Sequence, residues 1–290
     1  MTTKQYPVLV LCGSDKKRRK LLEELDPERK YKSKALLPFL GKRVIDWQLE
    51  AFQASPYVKD IYLLGLTEED VQFKTPVHYI PVAATSRIDE KLIAGLNYLS
   101  EHNEDTTTII VTTSDTPGLE TKSIDVFFDA LEKMDGMYDG VVTVVPEQAA
   151  LKEFSTRNRV VARFRDHQVF PGELFALSER VIIGAQKEIR DVSQIRRLFN
   201  RQKQHVSLGP ILRYIARKPG LWVMIIKYLL RTLTLEEAEA ALSRAFQFRL
   251  KAVIIPDPGF GMDMDLPEDY QSLETYVRRT KLAGKSPLQL

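Results

Sequence analysis

The stretch TTIIVTTSDTPGLE, residues 107–120, decides the fold that the sequence predicts. Its first part, residues 107–111, is β-branched and apolar, which is typical of a short buried β-strand. The turn residues Ser-Asp-Thr-Pro-Gly at 114–118 then end the strand. Asp115 is therefore expected just past the carboxyl end of a central strand, where open α/β sheets bind their ligands. Apolar residues at helical spacing follow the turn: Ile124, Phe127, Phe128 and Leu131.

A carboxylate at this position has two interpretations. Mg²⁺ prefers hard oxygen ligands and usually shares them with substrate phosphates, so Asp115 is a candidate metal ligand. An aspartate in a turn can also cap the turn or the helix that follows it. Spacing alone leaves both interpretations open.

Strands and helices alternate on both sides of this stretch. PVLVLCG at residues 7–13 is a continuous apolar run that ends in glycine, as buried parallel strands do. Further strands are predicted at DIYLLG (60–65), HYIPV (78–82) and GVVTVVP (140–146). Amphipathic helices are predicted between them, so the sequence favours an α/β fold with a mostly parallel, Rossmann-like sheet.

The pattern changes after residue 150. Two β-segments around a turn precede a helix-rich basic stretch at about residues 179–231. TLEE at residues 234–237 is a capping box and predicts the start of a helix. A strand at residues 250–256 and a final helix beginning near Leu266 complete the prediction.

Composition narrows the class of protein. The chain has 290 residues, of which 44% are hydrophobic and 28% charged, as in ordinary globular proteins. The net charge of +3 gives no bulk indication of nucleic-acid binding. Cys12 is the only cysteine, which excludes an intrachain disulfide and a cysteine-built zinc site. No secretory pattern or membrane-spanning run is visible, so we expect a cytoplasmic protein.

The loop after the first strand has features of a phosphate site. The backbone N–H groups of a glycine turn such as Cys12-Gly13-Ser14 can contact phosphates. Basic residues follow at once, and Arg18 and Arg19 among them suit the charge of a triphosphate. The alternative is a solvated helix face whose cations pair with the glutamates after it: Glu23, Glu24 and Glu28.

Lys34 precedes the apolar turn ALLPFLG at residues 35–41. A lysine there can reach a phosphate as a mobile point charge. From its position alone, Lys34 could equally be an ordinary surface residue.

The order of these segments carries a resemblance. The chain resembles the MobA-like NTP transferases over almost its whole length. The resemblance lies in four segments that occur in the family's order: PVLVLCG, KALLPFLGKRVIDWQLEAF, SDTP and GMDMDLPEDY. Those proteins are nucleotidyltransferases with a nucleotide-diphospho-sugar transferase (GT-A-like) fold. The resemblance implies that Lys34 binds phosphate, that Asp115 binds Mg²⁺ and that a second metal ligand lies in residues 263–269. The family's first loop usually reads Ala-Gly-Gly, with further glycines and an arginine. This chain has Cys12-Gly13-Ser14 instead, and Arg18 or Arg19 would take the place of the loop arginine.

The late motif DMDLPED, residues 263–269, can be divided on physical grounds. Asp265 has Pro267 in the first turn and Glu268 three residues on, which is typical of a helix N-cap. Asp263 follows Gly259-Phe260-Gly261 and shows no capping role. We therefore expect Asp263 to be the second Mg²⁺ ligand, and Asp265 either to cap the last helix or to lie in the outer shell of the metal site.

The basic apolar stretch at residues 196–231 contains the apolar block Leu221 to Ile226. We expect this block to be buried in the core or in a homo-oligomer interface, with Trp222 largely buried. The alternative, which we do not favour, is an interfacial element that meets anionic lipid or a lipid-linked acceptor.

Taken with the resemblance, the sequence predicts one domain over residues 1–290. Residues 1–146 would bind the nucleotide, and residues 147–290, with a helical insertion at about 179–231, would bind the acceptor. The implied activity is Mg²⁺-dependent transfer of NMP from an NTP (GTP or CTP) to an unknown phosphorylated or cofactor-like acceptor, with release of pyrophosphate. Such chemistry depends on positioning and charge neutralisation, which Lys34 and Asp115 would supply. Alternatives are a nucleotide-sugar glycosyltransferase, since Asp263-Met264-Asp265 matches an Asp-x-Asp motif, and a non-catalytic nucleotide-binding protein.

Overall fold

The computed structural model describes residues 3–14, 20–102, 107–154, 161–191 and 216–283. Arg18, Arg19 and the first part of the basic apolar stretch lie outside these ranges. The strands are β1 (Tyr6–Leu11), β2 (Pro38–Phe39), β3 (Lys42–Arg43), β4 (Val58–Leu64), β5 (His78–Ile80), β6 (Ile109–Thr113), β7 (Gly140–Pro146), β8 (Ala162–Arg163), β9 (Gln168–Leu177) and β10 (Leu250–Ile254). The helices are α1 (Lys20–Leu25), α2 (Val44–Gln53), α3 (Ile88–Glu101), α4 (Thr121–Lys133), α5 (Glu147–Leu151), α6 (Glu179–Gly184), α7 (Trp222–Leu229), α8 (Leu235–Phe246) and α9 (Pro267–Lys281).

The main sheet has the strand order β10-β7-β9-β6-β1-β4-β5, with β8 paired to β9. β1 pairs in parallel with β4 and β6, and the pairs β4–β5 and β7–β10 are also parallel. β9 runs antiparallel to both of its main neighbours. The predicted α/β fold with a mostly parallel sheet is confirmed.

Helices cover both faces of the sheet because β1 is apolar on both sides. Val8 and Val10 point into a cluster that contains apolar residues of α2 and α4. Leu9, between them, points to the opposite cluster, where it meets the apolar face of α3. This alternation is the period of a strand buried on both faces, and it explains why the sequence shows a continuous apolar run.

β9 joins the two halves of the chain into one sheet. Ala176 lies opposite Ile110 of β6 on one side and opposite Val141 of β7 on the other. β6 and β7 are therefore not paired with each other along this path, although they follow one another among the strands of the sequence. The predicted halves are regions of a single sheet.

The capping box at residues 234–237 is confirmed. The Thr234 hydroxyl accepts a hydrogen bond from the backbone N–H of Glu237 at 3.1 Å. The Glu237 carboxylate accepts one from the backbone N–H of Thr234 at 3.1 Å. These two bonds satisfy N–H groups at the start of α8 that have no partner within the helix.

The expectation that Trp222 is largely buried was wrong. Its exposed fraction is 54%. Leu221 and Met224 face inward and pack with Leu233 and Ala238, so the opposite face of α7 has to point outward. A helix of this length can bury only one side, and the apolar block at residues 221–226 covers more than one side. Within the described ranges, no helix is both long and apolar enough to cross a membrane.

Candidate functional site

The site lies at the edge of the sheet where the parallel strands β1, β4 and β6 end. The register places Leu11 of β1 opposite both Leu64 of β4 and Thr113 of β6. Asp115 follows β6 by two residues, as predicted, and only 5% of it is exposed. Parallel strands bring their carboxyl ends to one edge, and for that reason three separate loops meet here.

Three carboxylates converge at this edge. Ligand oxygens of Asp115, Asp263 and Asp265 all lie within 4.8 Å of one another. A backbone hydrogen bond from the Met264 N–H to the Asp115 carbonyl oxygen, at 3.0 Å, fixes the late loop against the turn after β6. Two segments almost 150 residues apart in the sequence therefore form one acidic cluster.

The predicted role of Asp265 as a helix cap is wrong. Leu266 is the N-cap of α9, because Pro267 occupies the first turn. The Asp269 carboxylate accepts the backbone N–H groups of Leu266 at 2.8 Å and of Asp265 at 3.2 Å. Asp269 thus does the capping, which leaves the side chain of Asp265 available to the cluster.

Lys34 is the cation of this cluster. Its ammonium lies 2.5 Å from Asp115 Oδ2 and also binds Asp265 Oδ1. The lysine begins a short 3₁₀ turn whose N-cap is Ser33. The interpretation of Lys34 as a surface residue does not hold, since 19% of its side chain is exposed.

One oxygen of the cluster has no hydrogen-bond partner among the described residues. Asp115 Oδ1 is buried, while Oδ2 of the same carboxylate binds Lys34. An unsatisfied buried carboxylate oxygen is costly in a native protein. The donor set is all oxygen and carries three negative charges, which fits a hard divalent cation such as Mg²⁺. Asp115, Asp263 and Asp265 could hold such an ion.

The loop Cys12-Gly13-Ser14 borders the cluster through Ser33. The Ser33 hydroxyl donates to the Gly13 carbonyl oxygen at 3.1 Å, and Lys34 is the next residue. Ser14 N–H donates to the Ala84 carbonyl oxygen at 3.1 Å. The predicted nucleotide loop and the predicted phosphate lysine are therefore neighbours.

Lys91 fixes the position of this loop. It projects from α3, is only 2% exposed, and its ammonium donates to the carbonyl oxygens of Cys12 at 3.0 Å and Ala84 at 2.9 Å. A buried cation that binds two loop carbonyls fixes the position of both loops. Lys91 is not among the residues predicted from the sequence, because on α3 it resembles any other charged residue of an amphipathic helix.

Two glycines let the acidic loops approach each other. A Cβ atom on Gly259 would lie 2.2 Å from the Gly118 carbonyl oxygen, and one on Gly118 would lie 3.0 Å from Gly259 Cα. Only residues without a side chain allow this contact. It joins the turn that carries Asp115 to the segment that leads to Asp263.

Lys281, at the end of α9, braces the same turn. Its ammonium donates to the Pro117 carbonyl oxygen at 2.9 Å and to that of Leu119. Burial lowers the pKa of Lys281 to about 8, although the nearby carboxylates of Glu120 and Asp257 oppose the shift. No sequence pattern indicates this role, because a lysine near a helix C-terminus is common.

The site is built for charge neutralisation and not for nucleophilic attack by a thiol. Burial raises the pKa of Cys12 to about 12 against the effect of Lys91, so the group is a thiol at neutral pH. The reactive form of cysteine is the thiolate. The groups at this edge that can interact with a ligand are the carboxylates, the Lys34 ammonium and the backbone groups of the loops.

Comparisons with known proteins indicate the family and the fold of the chain. A family model described as the MobA-like NTP transferase domain matches residues 10–212. A hypothetical transferase from Thermus thermophilus is similar in structure, with a TM-score of 0.68, 23% identity and coverage of 92% of this chain and 99% of that chain. CMP:2-keto-3-deoxy-manno-octonic acid synthetase in complex with CTP has a TM-score of 0.53, 11% identity and coverage of 96% and 99%. A 4-diphosphocytidyl-2C-methyl-D-erythritol synthase has a TM-score of 0.50, 11% identity and coverage of 96% and 100%. At these identities the structures show a shared fold, and no curated protein matches the sequence.

Proposed function

The chain belongs to the MobA-like NTP transferase family, and on that premise we propose that it is a Mg²⁺-dependent nucleotidyltransferase. It would transfer NMP from an NTP to a phosphorylated or cofactor-like acceptor. An acceptor oxygen would form a bond to the α-phosphorus, and the bond from that phosphorus to the oxygen of the leaving pyrophosphate would break. The proton of the acceptor, where it carries one, would pass to solvent.

One observation carries the proposal. Asp115 has a buried oxygen without a hydrogen-bond partner among the described residues, and it lies in an acidic cluster with Lys34 at the strand ends. Asp115, Asp263 and Asp265 would hold the metal ion. Bound there, the ion would neutralise the charge of the triphosphate and of the leaving pyrophosphate.

The chain's own residues would position the nucleotide. The Lys34 ammonium, now bound to two carboxylates, would turn to the phosphates once the carboxylates bind the metal. The backbone of Cys12, Gly13 and Ser14 would line the nucleotide, in a position fixed by Lys91 and Ser33. Arg18 and Arg19 stay candidates for phosphate contacts.

CTP is the first nucleotide to test, with GTP second. The support for CTP is the neighbour of the same fold that is in complex with CTP. Residues 1–146 carry the loop, Lys34 and Asp115, and we assign nucleotide binding mainly to this half. Residues 147–290 supply Asp263 and Asp265, and we assign them the acceptor side.

The test is pyrophosphate release from each NTP with Mg²⁺ and a panel of sugar phosphates. Asp115→Asn is expected to reduce release by about a hundredfold or more, since a catalytic metal contributes several kcal/mol. The matched control is Asp60→Asn, because Asp60 is half-exposed on β4 beside His78. Asp60→Asn should unfold within about 0.5 kcal/mol of the wild type. Asp115→Asn removes one of the two carboxylate partners of Lys34 and should lose about 1–3 kcal/mol, so its activity is compared at a temperature where both variants are folded.

Full pyrophosphate release by Asp115→Asn would contradict the proposal. Release of a nucleoside diphosphate from a nucleotide sugar, with no pyrophosphate from any NTP, would favour the glycosyltransferase alternative. Binding of nucleotide without turnover across the panel would favour the non-catalytic alternative.

A further inference from the structure

Helix α7 presents an apolar face to solvent. Large hydrophobic side chains on this face have exposed fractions of 54% to 69%: Trp222, Val223, Ile226, Leu229 and Leu230. Their spacing places them on about a third of the helix circumference. The opposite side holds Leu221 and Met224, which pack against Leu233 and Ala238. The outer face therefore contributes nothing to the packing of this small cluster.

The segment that carries this face is basic and contains no carboxylate. Residues 216–233 include four basic residues and no aspartate or glutamate: Arg217, Lys218, Lys227 and Arg231. Arg217 and Arg231 are exposed. Lys227 pairs with Glu237 at 2.6 Å, and Lys218 pairs with Glu188 at 3.3 Å, so both ammonium groups are held beside the helix.

Trp222 marks one end of the face. Its indole N–H donates to the Ala216 carbonyl oxygen at 2.8 Å, which fixes the ring beside Arg217 and Lys218. An aromatic ring with a polar edge, next to cations and above an aliphatic row, is typical of the boundary between water and lipid.

We propose that α7 docks on an anionic membrane surface. Its apolar face would enter the boundary between headgroups and acyl chains, and the exposed guanidinium groups of Arg217 and Arg231 would meet lipid phosphates. The helix would lie in the plane of the interface, since its eight residues are far too short to span a bilayer. This surface is separate from the acidic cluster and does not depend on the proposed activity.

Charge favours lipid over a second copy of the chain. In a twofold dimer the same patch meets itself, so the guanidinium groups of Arg217 and Arg231 would face those of the other copy, and residues 216–233 hold no carboxylate to offset them. An anionic bilayer offers opposite charge on every side of the apolar face. The two basic residues without a salt bridge among the described residues, Arg217 and Arg231, are the ones that gain most from it.

The experiment is co-sedimentation of the full chain with vesicles. Binding to phosphatidylcholine vesicles that contain phosphatidylglycerol is expected, with little binding to phosphatidylcholine alone. Raising the ionic strength from about 0.1 M to about 1 M shortens the Debye length from about 10 Å to about 3 Å and should weaken binding. Trp222 fluorescence should shift to shorter wavelength on binding, while Trp47, which is 5% exposed, should change little.

Variants separate the apolar contribution to vesicle binding from the electrostatic one. Ile226→Ser and Leu230→Ser are each expected to weaken vesicle binding by about tenfold. Arg217→Gln is expected to weaken it by about fivefold and to reduce its salt dependence. The control is Ile183→Ser on α6, because Ile183 is 52% exposed and Ile226 56%. It should bind vesicles like the wild type.

Three results would overturn the proposal. The first is equal binding to both kinds of vesicle, or none. The second is a dimer, seen by sedimentation velocity without lipid, that dissociates in the Ile226→Ser variant. The third is Trp222 fluorescence that iodide fails to quench in the absence of vesicles, since another part of the chain would then cover the face.

Discussion

At the scale of single residues, Lys34 forms ion pairs that it would have to give up under the proposed function. Without a metal ion, it neutralises Asp115 and Asp265, whose oxygens lie within 4.8 Å of each other. Two like charges about 4 Å apart repel by about 4 kcal/mol at an effective dielectric constant of about 20. A lysine in this position therefore stabilises the carboxylates when no metal is bound, and a divalent cation would compete with it.

This competition gives a prediction for Lys34→Met. In metal-free buffer the variant should be less stable by about 3 kcal/mol, because carboxylates lose their buried partner. Added Mg²⁺ should raise its unfolding temperature by more than it raises that of the wild type, since no ammonium has to be displaced. Pyrophosphate release should be strongly reduced at the same time.

The matched control is Lys42→Met. Lys42 pairs with Glu50 at 2.6 Å, with both side chains at least one-third exposed, and such pairs contribute about 1 kcal/mol or less. Its Mg²⁺ response should equal that of the wild type. If Lys34→Met showed the same Mg²⁺ response as Lys42→Met, Lys34 and the metal would not share the cluster.

The position of Asp115 could be predicted from sequence, and the role of Asp265 could not. A β-branched run followed by turn residues places an aspartate at a strand end with little ambiguity. Asp265 fits a capping pattern, and only the observed hydrogen bonds show that Asp269 fulfils it. Lys91 and Lys281 act on carbonyl groups far away in sequence, which no local pattern encodes.

At the scale of elements, the site depends on two loops that touch backbone to backbone. The turn after β6 and the segment before α9 meet at Gly118 and Gly259. The hydrogen bond from Met264 N–H to the Asp115 carbonyl oxygen lies on the same contact. The geometry of the acidic cluster is thus set by loop packing as much as by the carboxylates themselves.

Gly259→Ala is therefore expected to separate the loops. The added Cβ would lie 2.2 Å from the Gly118 carbonyl oxygen, so the backbone must move, at a cost of about 2 kcal/mol or more. Mg²⁺ binding, measured by calorimetry, should weaken together with stability.

Gly220→Ala provides the comparison. A Cβ at Gly220 meets nothing within 4 Å, so this variant should be neutral or more stable by up to about 1 kcal/mol. Unchanged Mg²⁺ affinity in Gly259→Ala would show that the contact of the two loops does not set the cluster.

For helix α7, the pattern of apolar residues does not determine which side of the helix is buried. The sequence predicts a helix and an apolar block at residues 221–226, and both are present. It does not indicate which side packs inward, because apolar residues occur on nearly every side. The structure buries Leu221 and Met224 and exposes Trp222.

At the scale of the whole molecule, burial of ionisable groups makes stability depend on alkaline pH. Burial raises the pKa of Cys12 from its ordinary value of 9.0 to about 12. Burial also raises the pKa values of Tyr79, Tyr138, Tyr270 and Tyr276. The folded state then keeps protons that the unfolded state has lost, so stability present below pH 9 is lost as pH rises toward 12.

For Cys12 alone the loss amounts to as much as about 4 kcal/mol, from about three pH units at about 1.4 kcal/mol each. Urea unfolding from pH 8 upward should show this decline in the free energy of unfolding. Cys12→Ala should decline less steeply between about pH 9 and about pH 10. Lys281 acts in the opposite direction, because its lowered pKa of about 8 adds stability as pH rises. Wild type and Cys12→Ala both contain Lys281, so the difference between their slopes does not include its contribution. Equal slopes would show that the Cys12 thiol is accessible to water.

The strand β9 has a consequence for synthesis of the chain. When the ribosome has made residues 1–146, β6 and β7 exist, but the strand that pairs with both has not yet appeared. The nascent chain then exposes unpaired edges beside the run VVTVV, which are sites for aggregation. Resistance of stalled nascent chains to protease is therefore expected only after residue 177 has left the exit tunnel, and holding chaperones would act in the interval before it.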